Sequence, residues 1–134
     1  MNLYAKLLER ENQGKPLRVG LIGAGKFAAM YLAQVPRTPG VHLVAIADLS
    51  PENARENLKR VGWDSVRFET ASIDDALKRK CTNISDDWQA LVSHPAIDIV
   101  IEATGNPVAA VEHILGAFRH GKHVVNVTVE ADAF

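Results

Sequence analysis

A chain of 134 residues, 47% apolar, 23% charged and 6% aromatic, with a formal charge of −1, has the make-up of one ordinary globular domain with room for a single core. Near-zero charge without a basic run excludes a nucleic-acid-binding protein, and a single cysteine, Cys81, excludes an intrachain disulfide. No apolar stretch reaches the roughly 18 residues of a membrane span and the N-terminus lacks a signal-peptide core, so a cytoplasmic protein that does not engage membranes is expected.

The charge is uneven. Residues 1–40 balance at +4, residues 41–80 at zero and residues 81–134 at −5. At the N-terminus, Leu3, Leu7 and Leu8 share one helical stripe until Gly14-Lys15-Pro16, which predicts a docking helix over residues 1–16. LRVGLIG (17–23) is a short apolar run rich in branched residues, the pattern of a strand covered on both faces. From Gly25 onward Phe27, Met30, Tyr31 and Val35 recur at helical spacing as far as Pro36. VHLVAIAD (41–48) then reads as a second buried strand, completing a βαβ unit of about thirty residues.

Ser50 reads as an N-cap, with Pro51 at the first helical position, Ala54, Leu58 and Val61 as the inner stripe and Gly62 as the stop. Ser72 with Asp74 and Asp75 opens a short helix, Cys81–Ile84 is a candidate strand, and Ser85 with Asp86 and Asp87 opens a helix that turns Trp88, Leu91 and Val92 inward. IDIVIEATG (97–105) is a strand. Asn106-Pro107 caps a helix whose Val111, Ile114, Leu115 and Phe118 mark the core face, and KHVVNVTVE (122–130) is the last strand.

Alternating strands and helices imply an α/β fold, a doubly wound parallel sheet, with its ligand site beyond the carboxyl ends of the strands. The sharpest motif lies there. Gly23-Ala24-Gly25-Lys26-Phe27-Ala28 is a G-x-G-x-x-A turn: Gly23 permits the tight exit from the strand, Gly25 lets a pyrophosphate approach the backbone, and Ala28 allows close helix packing. Asp48, 23 residues after Gly25 at the end of the second strand, is the candidate ribose ligand. It favours NAD, because a 2′-phosphate would be repelled, whereas Ser50 and Arg55 could accommodate one.

Thr104, Gly105 and Asn106 stand where the switch-point cleft would take the ribose or nicotinamide, although a plain N-cap explains Asn106 as well. Glu102 inside an apolar strand is either functional or paired with a neighbouring backbone or basic group. In the final strand Asn126, Thr128 and Glu130 alternate with valines, placing a polar face near the cleft or marking an exposed edge. The five histidines lack metal-ligand spacing, so no metal is expected and solvent-facing or helix-end imidazoles are the default. The residues assign no catalytic group.

RVGLIGAGKF, VAIADLSPE, IDIVIEATGNP and HGKHVV, in this order and spacing, resemble the nucleotide-binding domain shared by homoserine dehydrogenases and the Gfo/Idh/MocA oxidoreductases. The opening NLYAKLLER and the closing NVTVEADAF resemble the homoserine-dehydrogenase-like proteins that end in a SAF domain, a group that includes deoxyxylulose-phosphate-reductoisomerase-like enzymes of isoprenoid precursor synthesis. The resemblance implies a Rossmann domain lacking its final strand over residues 17–134, forming the N-terminal part of a longer, homo-oligomeric enzyme whose substrate domain follows. It implies NAD(P) as cofactor, with NADPH the expected donor, and hydride transfer to or from a small, possibly phosphorylated, carbonyl or hydroxy substrate. By the same resemblance Gly23, Gly25, Lys26 and Phe27 would hold the pyrophosphate, Asp48 the ribose, Thr104 to Asn106 the nicotinamide half, and Glu130 would border the substrate. The lysine that follows the last strand in both families has no counterpart in NVTVEADAF. A non-catalytic NAD(P)-sensing or interaction module is the alternative reading.

Overall fold

The computed structural model describes residues 2–128. Five strands, β1 (Leu17–Ile22), β2 (Val41–Ala47), β3 (Asn83–Ser85), β4 (Ile99–Glu102) and β5 (His123–Asn126), form one wholly parallel sheet in the order β3-β2-β1-β4-β5. The chain builds outward from β1 in one direction and then returns to add β4 on its other side. The crevice between β1 and β4 is therefore the topological switch point of a Rossmann-type fold.

Both faces of the sheet are covered, which is why its strands read as continuous apolar runs rather than alternating ones. On one face Val19, Leu21, Leu43 and Ile46 pack against α2 (Ala29–Gln34) and α3 (Pro51–Arg60) through Leu32, Ala54 and Leu58. On the other, Ile22, Val44 and Val100 meet α4 (Ile73–Arg79), α5 (Trp88–Ser93) and α6 (Pro107–Arg119). A Cβ at Gly20 would lie 2.5 Å from Leu91 Cδ2, so α5 approaches β1 as closely as a residue without a side chain allows.

Polar side chains cap the helices as the sequence suggests: Ser50, Ser72 and Asn106 accept hydrogen bonds from the N–H groups of Asn53, Asp75 and Ala109. Each such cap stabilises its helix by about 1 kcal/mol. For α5 the cap is Asp87, whose carboxylate accepts the Ala90 N–H.

Four expectations need correction. The segment after Gly25 is a 3-10 turn (Lys26–Ala28), the six-residue α2 and a second 3-10 turn (Val35–Arg37); Phe27 and Met30 are 58% and 75% exposed, with Ala28 and Leu32 buried in their place, while Val35 is buried and Tyr31 packs against the core as expected. In α6 the buried positions are Ala110, His113, Gly116 and Ala117, while Leu115 and Phe118 face outward. Trp88 of α5 lies so close that a Cβ on Gly116 would sit 2.8 Å from its ring, so position 116 has no room for a side chain.

The N-terminal helix α1 (Leu3–Asn12) buries none of its leucines fully. It meets the body at Gly40, where Glu11 accepts the Gly40 N–H at 2.7 Å, and a Cβ on Gly40, already at φ +75°, would lie 2.2 Å from the Leu7 carbonyl oxygen. β5 is shorter than the expected 122–130 strand, and over 125–128 the exposed side chains are Val125 and Val127, with Asn126 half-buried and Thr128 buried. Residues 129 and 130 of that expectation lie outside the described residues.

Candidate functional site

β1, β2, β3 and β4 end side by side, so the turns that follow them share one rim. Gly23 leaves β1 at φ +93°, and a Cβ there would lie 2.8 Å from the backbone of Ala103 and Thr104. Any other residue would strain its own backbone and push β1 away from the loop after β4.

The peptide of Ala24 is clamped from both sides. Its N–H donates to Asp48 Oδ2 at 2.9 Å, and its carbonyl accepts from Asn57 Nδ2 at 2.9 Å. The other Asp48 oxygen accepts the Ser50 N–H at 2.9 Å, so this half-buried carboxylate joins the glycine turn to the start of α3. Each carboxylate oxygen retains acceptor capacity beyond the one N–H it already binds.

Gly25 differs from Gly23. Its φ of −95° suits any residue, and nothing lies within 4 Å of where its Cβ would be. Space, and not backbone freedom, is what a side chain would remove there. Phe27, expected in a helix core, instead lies against Gly105, whose Cβ would sit 2.4 Å from the ring, so the turns after β1 and β4 are in contact. Lys26 is exposed at the mouth.

Glu102, at the end of β4, is fully buried and is the hub of the loop that follows. Its Oε1 accepts the Thr104 N–H at 2.7 Å, the Thr104 hydroxyl at 2.6 Å and the Thr128 hydroxyl at 3.1 Å; its Oε2 pairs with His113 Nδ1. The hydroxyls pass order onward: Thr104 Oγ1 accepts the Asn106 N–H and Thr128 Oγ1 accepts the Gly105 N–H. Burial alone would raise the Glu102 pKa, but the hydrogen bonds from His113 and Thr104 outweigh it and hold the carboxyl below its usual range. An ionised carboxylate only accepts, so His113 Nδ1 carries the proton of that bond.

The expectation that the histidines face solvent therefore fails at His113, which is buried on α6 with its ring 4.7 Å from that of Trp88. Glu102 resolves to the paired alternative. Glu130 lies outside the described residues. Among those residues, no group of three or more His, Cys, Asp or Glu is placed to hold a metal, and no helix is long and apolar enough to cross a membrane.

Together these turns enclose a cavity of about 180 Å³ lined by Gly23, Gly25, Lys26, Phe27, Asp48 and Thr104, with Asp86, Trp88 and His113 completing its wall. Gly105 and Asn106 follow Thr104 in the same loop but are not among the residues that line the cavity. Asn57, Asp86, Trp88 and His113 escaped sequence reasoning. Only Asp86 carried a usable signal, an acid directly after a strand at the cleft end of the sheet.

A parallel sheet with this strand order, whose switch point holds a glycine turn clamped to an acid at the end of β2, defines a dinucleotide-binding domain of the Rossmann class. Residues 17–126 match the oxidoreductase family with an NAD-binding Rossmann fold, GFO/IDH/MocA, and the chain belongs to that family. It is 34% identical over 115 residues to a homoserine dehydrogenase of Methylobacillus glycogenes, covering 83% of this chain and 24% of that one. Among solved structures, it is 30% identical to biliverdin reductase of Synechocystis sp. PCC 6803 in complex with biliverdin and NADP+, at a TM-score of 0.55, covering 83% of this chain and 29% of that one. A levoglucosan dehydrogenase in complex with NADH and L-sorbose is 27% identical at a TM-score of 0.55, covering 83% and 27%. The chain thus spans only 24–29% of the length of these relatives.

Proposed function

We propose that this chain is the cofactor-holding part of a nicotinamide-dependent oxidoreductase that acts on a small carbonyl or hydroxy compound. The observation that carries this reading is the clamped Ala24 peptide beside an open Gly25: the turn is held from behind by Asp48 and Asn57 and presents a face with room for a pyrophosphate. When bound, the nicotinamide supplies or accepts the hydride, while the protein supplies position and electrostatics.

In this reading Gly25 and Lys26 receive the pyrophosphate, Asp48 accepts from the ribose hydroxyls, and the loop of Thr104, Gly105 and Asn106 borders the nicotinamide half. Glu102 and His113 act behind that loop, fixing where Thr104 stands. Asp48 and Asp86 put two carboxylates on the adenosine side, Arg55 is engaged with Glu52 at 2.5 Å, and Ser50 Oγ serves as the helix cap. A 2′-phosphate would meet negative charge there, so NAD is the preferred dinucleotide, against the NADPH expected from the resemblance.

The residues extend the chemistry no further than the cofactor. A homoserine-type or a phosphorylated, deoxyxylulose-type substrate both fall within the class. Calorimetric titration of the chain with NADH and NADPH tests the reading: saturable binding with NADH the tighter ligand is expected, and failure to bind either overturns it.

A further inference from the structure

At the opposite end of the sheet, where β1 and β2 begin, a second cavity of about 370 Å³ opens. Its walls bring together Arg18 of β1, Arg37 of the turn after α2, Arg67 of the 3-10 turn Ser65–Phe68, and Lys80 at the end of α4. The carboxylate on its wall, Glu11, is already bound to the Gly40 N–H. None of the four cations has an ion-pair partner among the described residues, unlike Arg55 and Arg79 elsewhere.

The Nε of Arg18 is shut off from solvent and has no hydrogen-bond partner there, a costly state unless something accepts from it. His42, on the same wall, responds to these charges. Burial lowers its pKa most, and Arg18, Arg67 and Lys80 lower it further, against the opposing effect of its 2.6 Å bond to the Cys81 carbonyl. The imidazole is neutral at pH 7, while the four permanent charges stay uncompensated. The cavity also has an apolar side built from Val41, Leu43 and Trp63, with the Arg67 guanidinium 5.3 Å from the Trp63 ring centroid.

We propose that this cavity is a second binding site, which takes a small phosphorylated molecule. Three guanidinium forks match phosphate oxygens in pairs, and Lys80 adds a point charge. The organic part of the ligand lies against the Trp63 wall. A cleft of this size suits a small molecule, not a polymer, and a chain of net charge −1 lacks the extended basic surface that a nucleic acid needs. The length of β1, roughly 20 Å at about 3.3 Å per residue, separates this site from the cofactor cleft, so the two sites can be tested independently.

The test is an amide NMR titration of the isotope-labelled chain with inorganic pyrophosphate in about 0.15 M salt, where exposed charges are screened. The two indole N–H signals report separately, since Trp63 borders this cavity and Trp88 the cofactor cleft. Saturable shifts of the Trp63 signal and of the amides of residues 37, 38, 40–42 and 80–82 are expected, retained in Gly25→Val and weakened roughly tenfold or more in Arg37→Gln/Arg67→Gln, which removes two charge-assisted contacts. Both arginines are exposed, and should that double variant lose its native spectrum, Lys80→Asn, which suits the left-handed backbone there, makes the same test. A Trp63 signal that stays still overturns the proposal. So does binding that Gly25→Val abolishes and the arginine variant leaves intact.

Discussion

At the scale of single residues, Gly23 and Gly25 sit two positions apart for different reasons. Gly23 serves the fold, through its left-handed φ and its approach to Ala103 and Thr104, whereas Gly25 has an ordinary φ and open space before it. Gly25→Val is therefore expected to fold normally and to weaken NADH binding by roughly tenfold or more, the loss of one or two charge-assisted hydrogen bonds to a phosphate. Calorimetry on a variant with an unchanged circular dichroism spectrum checks this, and equal affinity would place the pyrophosphate elsewhere. Glu102 makes a second prediction, about stability and pH. Its folded-state pKa is depressed, so its stabilisation is present above the ordinary carboxyl value of 4.5 and is lost as pH falls through the lower native value. Urea unfolding of wild type and Glu102→Gln should differ by about 2 kcal/mol at neutral pH and converge in acid; a gap that stays constant down to the acid limit would mean that the carboxylate charge contributes nothing.

Between elements, Asp48 is a junction of the glycine turn, β2 and α3 before it is a ligand. Asp48→Asn removes the charge and keeps one acceptor oxygen, giving up one of the two backbone hydrogen bonds, so the NADH-to-NADPH affinity ratio should fall and stability should drop by about 1 kcal/mol. Dissociation constants for both cofactors, measured on wild type and variant, check it; an unchanged ratio places Asp48 away from the ribose. This junction was legible in the sequence because it is carried by local signals: glycines that leave a strand, an acid at a fixed distance and a serine cap. The inner face of α6 was not. Periodicity weights large apolar residues, yet the buried face of α6 is made of Ala110, His113, Gly116 and Ala117, with His113 and Gly116 against Trp88, and Leu115 and Phe118 turn outward. The bond between Glu102 and His113 was equally invisible, since it joins a strand to a helix and the spacing of 11 residues matches no motif. The valines of β5 misled for a related reason: Thr128 is drawn inward to Glu102, which leaves Val125 and Val127 on the outside.

Over the whole molecule, the two ends of the sheet differ in charge and its last edge differs in polarity. Acids border the cofactor cleft, unpaired cations border the second cavity, and Leu115, Phe118, Val125 and Val127 expose apolar surface on α6 and beside β5. Among the described residues no strand pairs with the outer side of β5, and an open strand edge beside apolar side chains favours pairing with another chain. The titratable side chains that line the cofactor cleft are Lys26, Asp48, Asp86 and His113. The first three belong to the proposed pyrophosphate and adenosine end, and His113, whose Nδ1 proton is held by Glu102, leaves Nε2 as the single ring nitrogen able to exchange a proton, with no second unassigned titratable side chain on the lining to orient a substrate against it. The chain on its own is therefore expected to bind NADH, to self-associate and to turn over nothing. Size-exclusion chromatography should show an oligomer that Phe118→Lys/Val125→Lys converts to monomer. A nicotinamide absorbance assay with homoserine, aspartate semialdehyde and deoxyxylulose phosphate should stay flat in both oligomeric forms, whereas turnover of any of the three would mean that the His113 imidazole alone suffices as acid or base.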